Sequence, residues 1–322
     1  MMKLSNMVKG LSGDAIAQEL IQHWEHDESS LLFWRASSNF VYAFEHKQIR
    51  YFLRFSSDQE HSIGQITAEL EYMEYLLSHN YPCVAPIRSV HGRYVETLAH
   101  DGGTYFAVVF QAAAGAALDE DITEMQCEDW GRSLATLHQL AMSYQPIQVA
   151  RWSWQDILQN IDTVLQAHPD EKEAVEELRI LTAQLHSLPI SSNNFGLIHY
   201  DFQLDNLFYQ ENRRLFTVID FDDAFYSWYV QDLVTALHDF LDDNMNLDHS
   251  QVKSFLQGYR LVRPLSDEDM RALPYLQRFM KLYQFSKLLW SLEGSDVADA
   301  PEWLEDLKIK LVRARDRLRQ GF

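Results

Sequence analysis

The chain has 322 residues, of which 47% are hydrophobic and 23% charged, and a formal net charge of -20. That length suits two packed lobes better than one small domain, and the composition excludes long disorder. An acid excess of this size excludes nucleic acid as a partner and favours cationic ligands.

Cys83 and Cys127 form neither a disulfide framework nor a metal-binding spacing. No stretch nears the roughly 18 apolar residues that would span a membrane. Lys3, Lys9, Asp14 and Glu19 interrupt any signal-peptide core. The expected setting is the reducing cytoplasm, with no membrane contact. Oligomeric state has no signature in the sequence.

In chain order, residues 14–26 read as helical. LLFW, NFVYAFE and IRYFLRFS, between residues 31 and 56, read as strands, with His46-Lys47-Gln48 as a hairpin turn. Ile66, Leu70, Met73 and Leu77 recur at helical steps within 63–79. Strands are expected again at 87–89, 93–97 and 105–110. The small residues of 111–115 could join two lobes. From Glu128 onward the pattern is helical, over 128–142, 153–167, 170–187, 228–242, 249–260, 267–292 and 301–319. A β island interrupts it between Leu197 and Asp222. Strands first and helices afterwards argue α+β, divided as 1–112 and 113–322. In the last helix Leu304, Leu307, Leu311 and Leu318 share a face expected to dock on the C-terminal lobe. Trp152-Ser153-Trp154 reads as packing at a helix start. His23 and His26 lie three apart without an evident third ligand.

The β island carries the chemistry. His199-Tyr200-Asp201 through Asn206 fits H-x-D-x-x-x-x-N, and an apolar strand then ends in Asp220-Phe221-Asp222-Asp223. Phosphoryl transfer needs the phosphates held, their charge neutralised and the acceptor hydroxyl aimed in line. A carboxylate can orient that hydroxyl and take its proton. Magnesium takes hard oxygen ligands, one or two of them from protein. At the spacing of the protein-kinase signature, Asp201 falls on the base, and Asn206 and Asp220 on the metal ligands. The glycine of D-F-G is replaced by Asp222.

LIHYDFQLDNLFY followed by FTVIDFDDAFYSWYVQDL resembles the aminoglycoside phosphotransferase and choline kinase family of small-molecule kinases. The resemblance implies a protein-kinase-like bilobal fold, with a small β-rich N-lobe, a larger mostly helical C-lobe, ATP in the cleft and one or two Mg²⁺. It places Asp201 as the catalytic aspartate, with His199 bracing its loop, and Asn206 and Asp220 as metal ligands. Asp232 matches a structural aspartate that braces the same loop. Asp222 is a neighbour of acceptor or metal, or a solvated turn residue.

On the nucleotide side there is no G-x-G-x-x-G. Ser38 and Asn39 lie where the family turns over the phosphates. Arg54 stands where most members carry the ATP-anchoring lysine. Glu69 is chosen as its helix partner over Glu71 and Glu74. Phe110 to Ala112 matches the hinge strand that reads adenine.

The acceptor is expected in the helical lobe. Tyr226, Trp228, Tyr229, Asp239, Asp242, Asp243, Trp290 and Glu293 supply aromatic faces and acid that suit a cation. An aminoglycoside, choline or ethanolamine, homoserine and a sugar-like alcohol all fit the class. A pseudokinase or nucleotide-binding regulator is the rival reading. A protein Ser/Thr kinase is another, disfavoured because only 11 residues separate Asp220 from Asp232.

Overall fold

Alternation of apolar residues along the N-terminal strands sends their two faces into two different cores. In the computed structural model, which describes residues 1–11, 14–100, 103–118, 121–241, 245–295 and 301–322, this part begins with helices α1 (Leu4–Gly10) and α2 (Ala15–Leu20). Strands β1 (Leu32–Ala36), β2 (Phe40–His46) and β3 (Ile49–Ser57) follow. Then come helix α3 (Ile63–Ser78) and strands β4 (Pro86–Ile87), β5 (Glu96–His100) and β6 (Gly103–Gln111). The antiparallel sheet runs β1-β2-β3-β6-β4, with β5 also on β6. Ala107 and Val109 of β6 join Phe40, Tyr42, Leu53 and Phe55 in one core, closed by Ile16, Leu20 and Trp24. Val108 and Phe110 face the other way and join α3 in the larger core. The period of two thus ties the sheet to the rest of the molecule.

The expected hairpin is present. Lys47 and Gln48 have φ of 52° and 67°, the backbone of a tight turn matched to strand twist. Helix α1 was not expected. The strand expected at 93–97 starts at Glu96, because the Arg93 carbonyl instead accepts the Ser89 amide in a turn.

The second part holds β7 (Ala116–Ala117), α4 (Glu124–Ala141), α5 (Trp154–Ala167), α6 (Lys172–His186), β8 (Phe195–Ile198), β9 (Leu207–Gln210), β10 (Leu215–Val218), β11 (Phe225–Trp228), α7 (Val230–Ala236), α8 (Ser250–Arg260), α9 (Asp267–Leu292) and α10 (Glu302–Arg319). Capping boxes at Thr123, Ser153 and Ser266 start α4, α5 and α9. The first of them moves the start of α4 ahead of the expected Glu128. Helices α4 and α8 cross with backbones in contact: a Cβ on Gly131 would lie 1.9 Å from the Phe255 carbonyl oxygen. Gly115, in the small-residue connector, has φ 112°, and a Cβ there would sit 2.7 Å from the Tyr209 carbonyl. That crowding is why the segment must be small where β7 pairs with β9.

The helix expected over 228–242 is replaced. Phe225 to Trp228 pair back onto β8 as β11, and only Val230–Ala236 are α-helical before a 3-10 turn at His238–Phe240. The aromatic run fills a strand, so the β island reaches Trp228. Asp242 and Asp243 lie outside the described residues. Leu304 of α10 is buried. Leu318 packs against the larger core, as expected, while Leu307 touches the sheet-side core instead. Among the described residues no helix is long and apolar enough to cross a membrane.

Candidate active site

The loop after β8 is held from beneath by one buried carboxylate. Asp232, at the start of α7, accepts the His199 amide at 2.9 Å, the Tyr200 amide at 2.6 Å and His138 Nε2 at 2.9 Å. This is the bracing expected of Asp232. Tyr200 has φ 68°, a left-handed conformation that a bulky residue keeps only when its surroundings over-determine it. His199 Nε2 donates to the Ile219 carbonyl at 3.0 Å, and its Nδ1 accepts the Asp201 amide at 3.2 Å. Burial lowers the His199 pKa, which keeps the ring neutral for those two bonds. His199 thereby ties the Asp201 loop to the strand leading to Asp220.

Asn206 is fastened by its donor side. Its Nδ2 donates to Asp201 Oδ2 at 2.7 Å and to the Asp201 carbonyl at 3.0 Å. Its Oδ1 is buried without a hydrogen-bond partner, while Oδ1 of Asp220, also without a hydrogen bond, has Arg54 Nη1 at 3.5 Å. Asp220, with φ 65°, is a second left-handed residue, and it turns its carboxylate toward the cleft. An unpartnered buried oxygen such as Asn206 Oδ1 is costly unless something electropositive meets it, and Asp220 Oδ1 has only a long ion-pair contact with Arg54. Both are hard donors of the kind that suit Mg²⁺. The residues therefore fit a divalent cation.

Burial, helped by the nearby Asp223 carboxylate and opposed by Lys287, pushes the Asp201 carboxyl up to about 7. A carboxylate poised there can accept a proton near neutral pH. Burial and the Asp222 carboxylate push Asp220 up against the pull of Arg54 and Arg35. For Asp222 the burial penalty is outweighed by Arg54, His61 and Arg151, which hold it below the usual carboxylate range. Asp222 is not a solvated turn residue: it accepts Asn39 Nδ2 at 2.6 Å across the cleft.

Above the cleft Arg54 donates to Glu69 Oε2 at 2.6 Å, with both side chains buried. The register of α3 decides between the three glutamates. Glu71 accepts the Tyr144 hydroxyl and the Gln148 amide, and Glu74 faces Arg88 at the surface. Arg54 also lies 3.5 Å from Asp220 and stacks over Phe110. Ser38 is half-buried in the β1–β2 turn. The Ala112 amide already donates to the Arg50 carbonyl at 3.1 Å.

Several residues of the cleft were not anticipated. Arg35 of β1 donates to Asp220 Oδ2 at 3.0 Å. Arg151 knits three segments, donating to the carbonyls of Asp222, Ala224 and Gln65. Lys287 of α9 pairs with Asp223 at 3.1 Å. An apolar strand that ends in an arginine just before a Ser-Ser-Asn turn was the available signal for Arg35. Arg151 and Lys287 had none.

Beside Asp222 and Asp223 opens a cavity of ≈ 310 Å³, lined among others by Glu60, His61, Trp152, Asn160, Phe225, Tyr283 and Trp290. Of the residues expected around an acceptor, Trp290 is here. Trp228 and Tyr229 are core residues, and Asp239 is exposed. Trp290 and Glu293 do take a cation, the chain's own Lys3, whose Nζ lies 3.6 Å from the ring centroid and 2.8 Å from the carboxylate. Trp154 is buried as helix-start packing, while Trp152 is exposed on the cavity wall. Away from the cleft, His23 neighbours His91 and Glu96 rather than His26. Glu96 is already bound by Ser89, His91 and Arg93, so that cluster reads as a structural knot.

Comparison with known proteins identifies the family and the fold. The model of the phosphotransferase enzyme family matches residues 32–272. The amicoumacin kinase of Bacillus subtilis (strain 168) is 24% identical over 257 residues, 76% of each chain. A homoserine kinase of Methylobacillus glycogenes is 26% identical over 282 residues, 81% of each. Among solved structures, an amicoumacin kinase in complex with AMP-PNP, Ca²⁺ and Ami superposes with TM-score 0.81 at 21% identity, covering 97% of this chain and 96% of the other. A microcompartment-associated aminopropanol kinase gives TM-score 0.67 at 23% identity, covering 95% and 96%. The chain belongs to the phosphotransferase enzyme family and has its kinase-like α+β fold.

Proposed function

We propose that this phosphotransferase moves the γ-phosphate of ATP, with Mg²⁺, onto a hydroxyl of a small amine-bearing molecule seated between α5 and α9. The observation that carries the reading is the set of buried oxygens without hydrogen bonds, Asn206 Oδ1 and Asp220 Oδ1, the second met only by Arg54 at 3.5 Å, together with the Asp201 carboxyl raised to about 7. A divalent cation held by those oxygens supplies charge neutralisation for the phosphates. Asp201 orients the acceptor hydroxyl and takes its proton as the acceptor oxygen bonds to the γ-phosphorus and the bond to the β–γ bridging oxygen breaks, releasing ADP. His199 and Asp232 position Asp201 without touching substrate. Arg54, fixed by Glu69, binds phosphate as a planar fork. The Ser38–Asn39 turn covers the phosphates, and adenine lies against the end of β6 from Phe110 to Ala112.

The division at 1–112 and 113–322 belongs to the same reading: nucleotide on the sheet side, acceptor on the helical side. Two observations support a small acceptor. Of the 11 residues between Asp220 and Asp232, Phe225–Trp228 are paired to β8 as β11, which leaves no span for an activation segment. The cavity has the volume of a small-molecule site. Its wall carries the aromatic faces of Trp152, Phe225, Tyr283 and Trp290 and the carboxylates of Glu60, Asp222 and Asp223 alongside Arg151 and Lys287, and homoserine and aminopropanol, in the names of relatives, both carry an amine and a hydroxyl. Supply of ATP and two buried free cysteines fit a reducing cytoplasm.

The test is ATP consumption with Mg²⁺ across amino alcohols, hydroxyamino acids, aminoglycosides, sugars and a generic protein substrate. Saturable turnover with an amino alcohol is expected. Turnover confined to the protein substrate overturns the small-acceptor reading. ATP binding without turnover on any of them favours a pseudokinase.

A further inference from the structure

Two guanidinium groups converge on Asp220, and they are not equivalent. Arg54 is buried, pinned by Glu69 and stacked on Phe110. Arg35 is 40% exposed, and among the described residues Asp220 is the carboxylate it pairs with. Its direction is built into the strand. Between Phe33 and Arg35 the pairing of β1 with β2 slips by one residue. A bulge of this kind re-aims the side chain that follows it, and here it turns Arg35 into the cleft immediately before the Ser37-Ser38 turn.

We infer that Arg35, paired with Asp220 in this structure, is a phosphate-binding catalytic residue that passes to the γ-phosphate when the metal–nucleotide complex takes Asp220. The inference rests on the reading of Asp220 as a metal ligand. A divalent cation on Asp220 repels both guanidinium groups, Arg35 on Oδ2 and Arg54 near Oδ1, and Arg54 is held in place by Glu69, so Arg35 is the one displaced. Arg35 is the freer of the two because its side chain is partly solvated and, among the described residues, no second carboxylate pairs with it. Once displaced, its fork faces the space where phosphate oxygens must lie if Asn206 and Asp220 hold the metal. Arginine binds such oxygens bidentately, and charge on the transferring phosphoryl group grows along the reaction.

The competition gives two effects of opposite sign. In Arg35→Gln, Mn²⁺ binding without nucleotide, read by the spectroscopic signal of free Mn²⁺, should tighten about fivefold, the scale of a partly exposed ion pair. Calorimetric affinity for AMP-PNP with Mg²⁺ should weaken about tenfold, the scale of a lost hydrogen bond to a charged group. Arg35→Lys, which keeps the charge without the fork, should recover the first effect more than the second. A merely structural arginine would weaken both or neither, and either result overturns the proposal. Asp220→Asn separates the two layers. If it leaves Mn²⁺ binding as in the unsubstituted protein, the metal-ligand reading fails and takes this inference with it. If it abolishes Mn²⁺ binding while Arg35→Gln behaves as the unsubstituted protein, only the role of Arg35 falls.

Discussion

The two walls of the cleft are built on different plans. The helical-side wall takes Asp201, Asn206, Asp220 and Asp222 from one continuous stretch around β9 and β10, locked by His199 and Asp232. The sheet-side wall gathers Arg35, Asn39, Arg54 and Glu69 from β1, a turn, β3 and α3. On the first wall, residues meet because short loops fix their spacing. On the second, they meet because strand pairing and helix docking put them in register. The first plan leaves a motif in the sequence, and the second leaves scattered residues.

Substitutions measure that difference. The largest effect is expected on the helical-side wall: Asp201→Asn should lower kcat about 10²- to 10⁴-fold while calorimetric affinity for AMP-PNP holds. Equal turnover would remove Asp201 as the base.

Next comes the brace. Asp232→Ala strands two backbone amides and His138 in a fully buried site. The cost should be about 3–5 kcal/mol, seen in denaturant melts. On the opposite wall, Glu69→Gln leaves Arg54 buried without its counter-charge. It should weaken nucleotide binding, with a stability loss smaller than that of Asp232→Ala, since Asp220 still faces Arg54. If Glu69→Gln proves the costlier, the walls do not differ as argued.

Proton linkage at Asp201 gives a subtler test. Its folded pKa near 7 lies above the ordinary value of 3.8. Ionisation therefore costs the native state stability as pH rises from about 4 to 7, and the cost persists above pH 7. Asp201→Asn should raise Tm by a few degrees at pH 8 and hardly at all at pH 4, in metal-free protein. Turnover should rise with pH through about 7 and then flatten. The smallest change is at the cavity mouth. Trp152→Ala, at an exposed site, should raise KM for the acceptor a few-fold and leave KM for ATP unchanged.

The sequence by itself determined the α+β order of strands then helices, the hairpin at Lys47–Gln48 and the stretch from His199 to Asp220. Each is local: periodicity, turn backbone and short-range spacing are carried by neighbouring residues. It also separated Glu69 from Glu71 and Glu74 through the family's pattern around that helix, a choice whose contacts only α3 docking displays. The aromatic run at Phe225–Trp228 suited a helix as well as a strand, and pairing with β8 decided it. The acceptor wall was still less legible. Trp228 and Tyr229 went to the core, Trp290 met Lys3, and Arg151 and Lys287 entered from distant segments, as Arg35 did on the opposite wall. Tertiary structure decided these because a side chain's neighbours across the chain are set by the packing of whole elements, which no local spacing encodes.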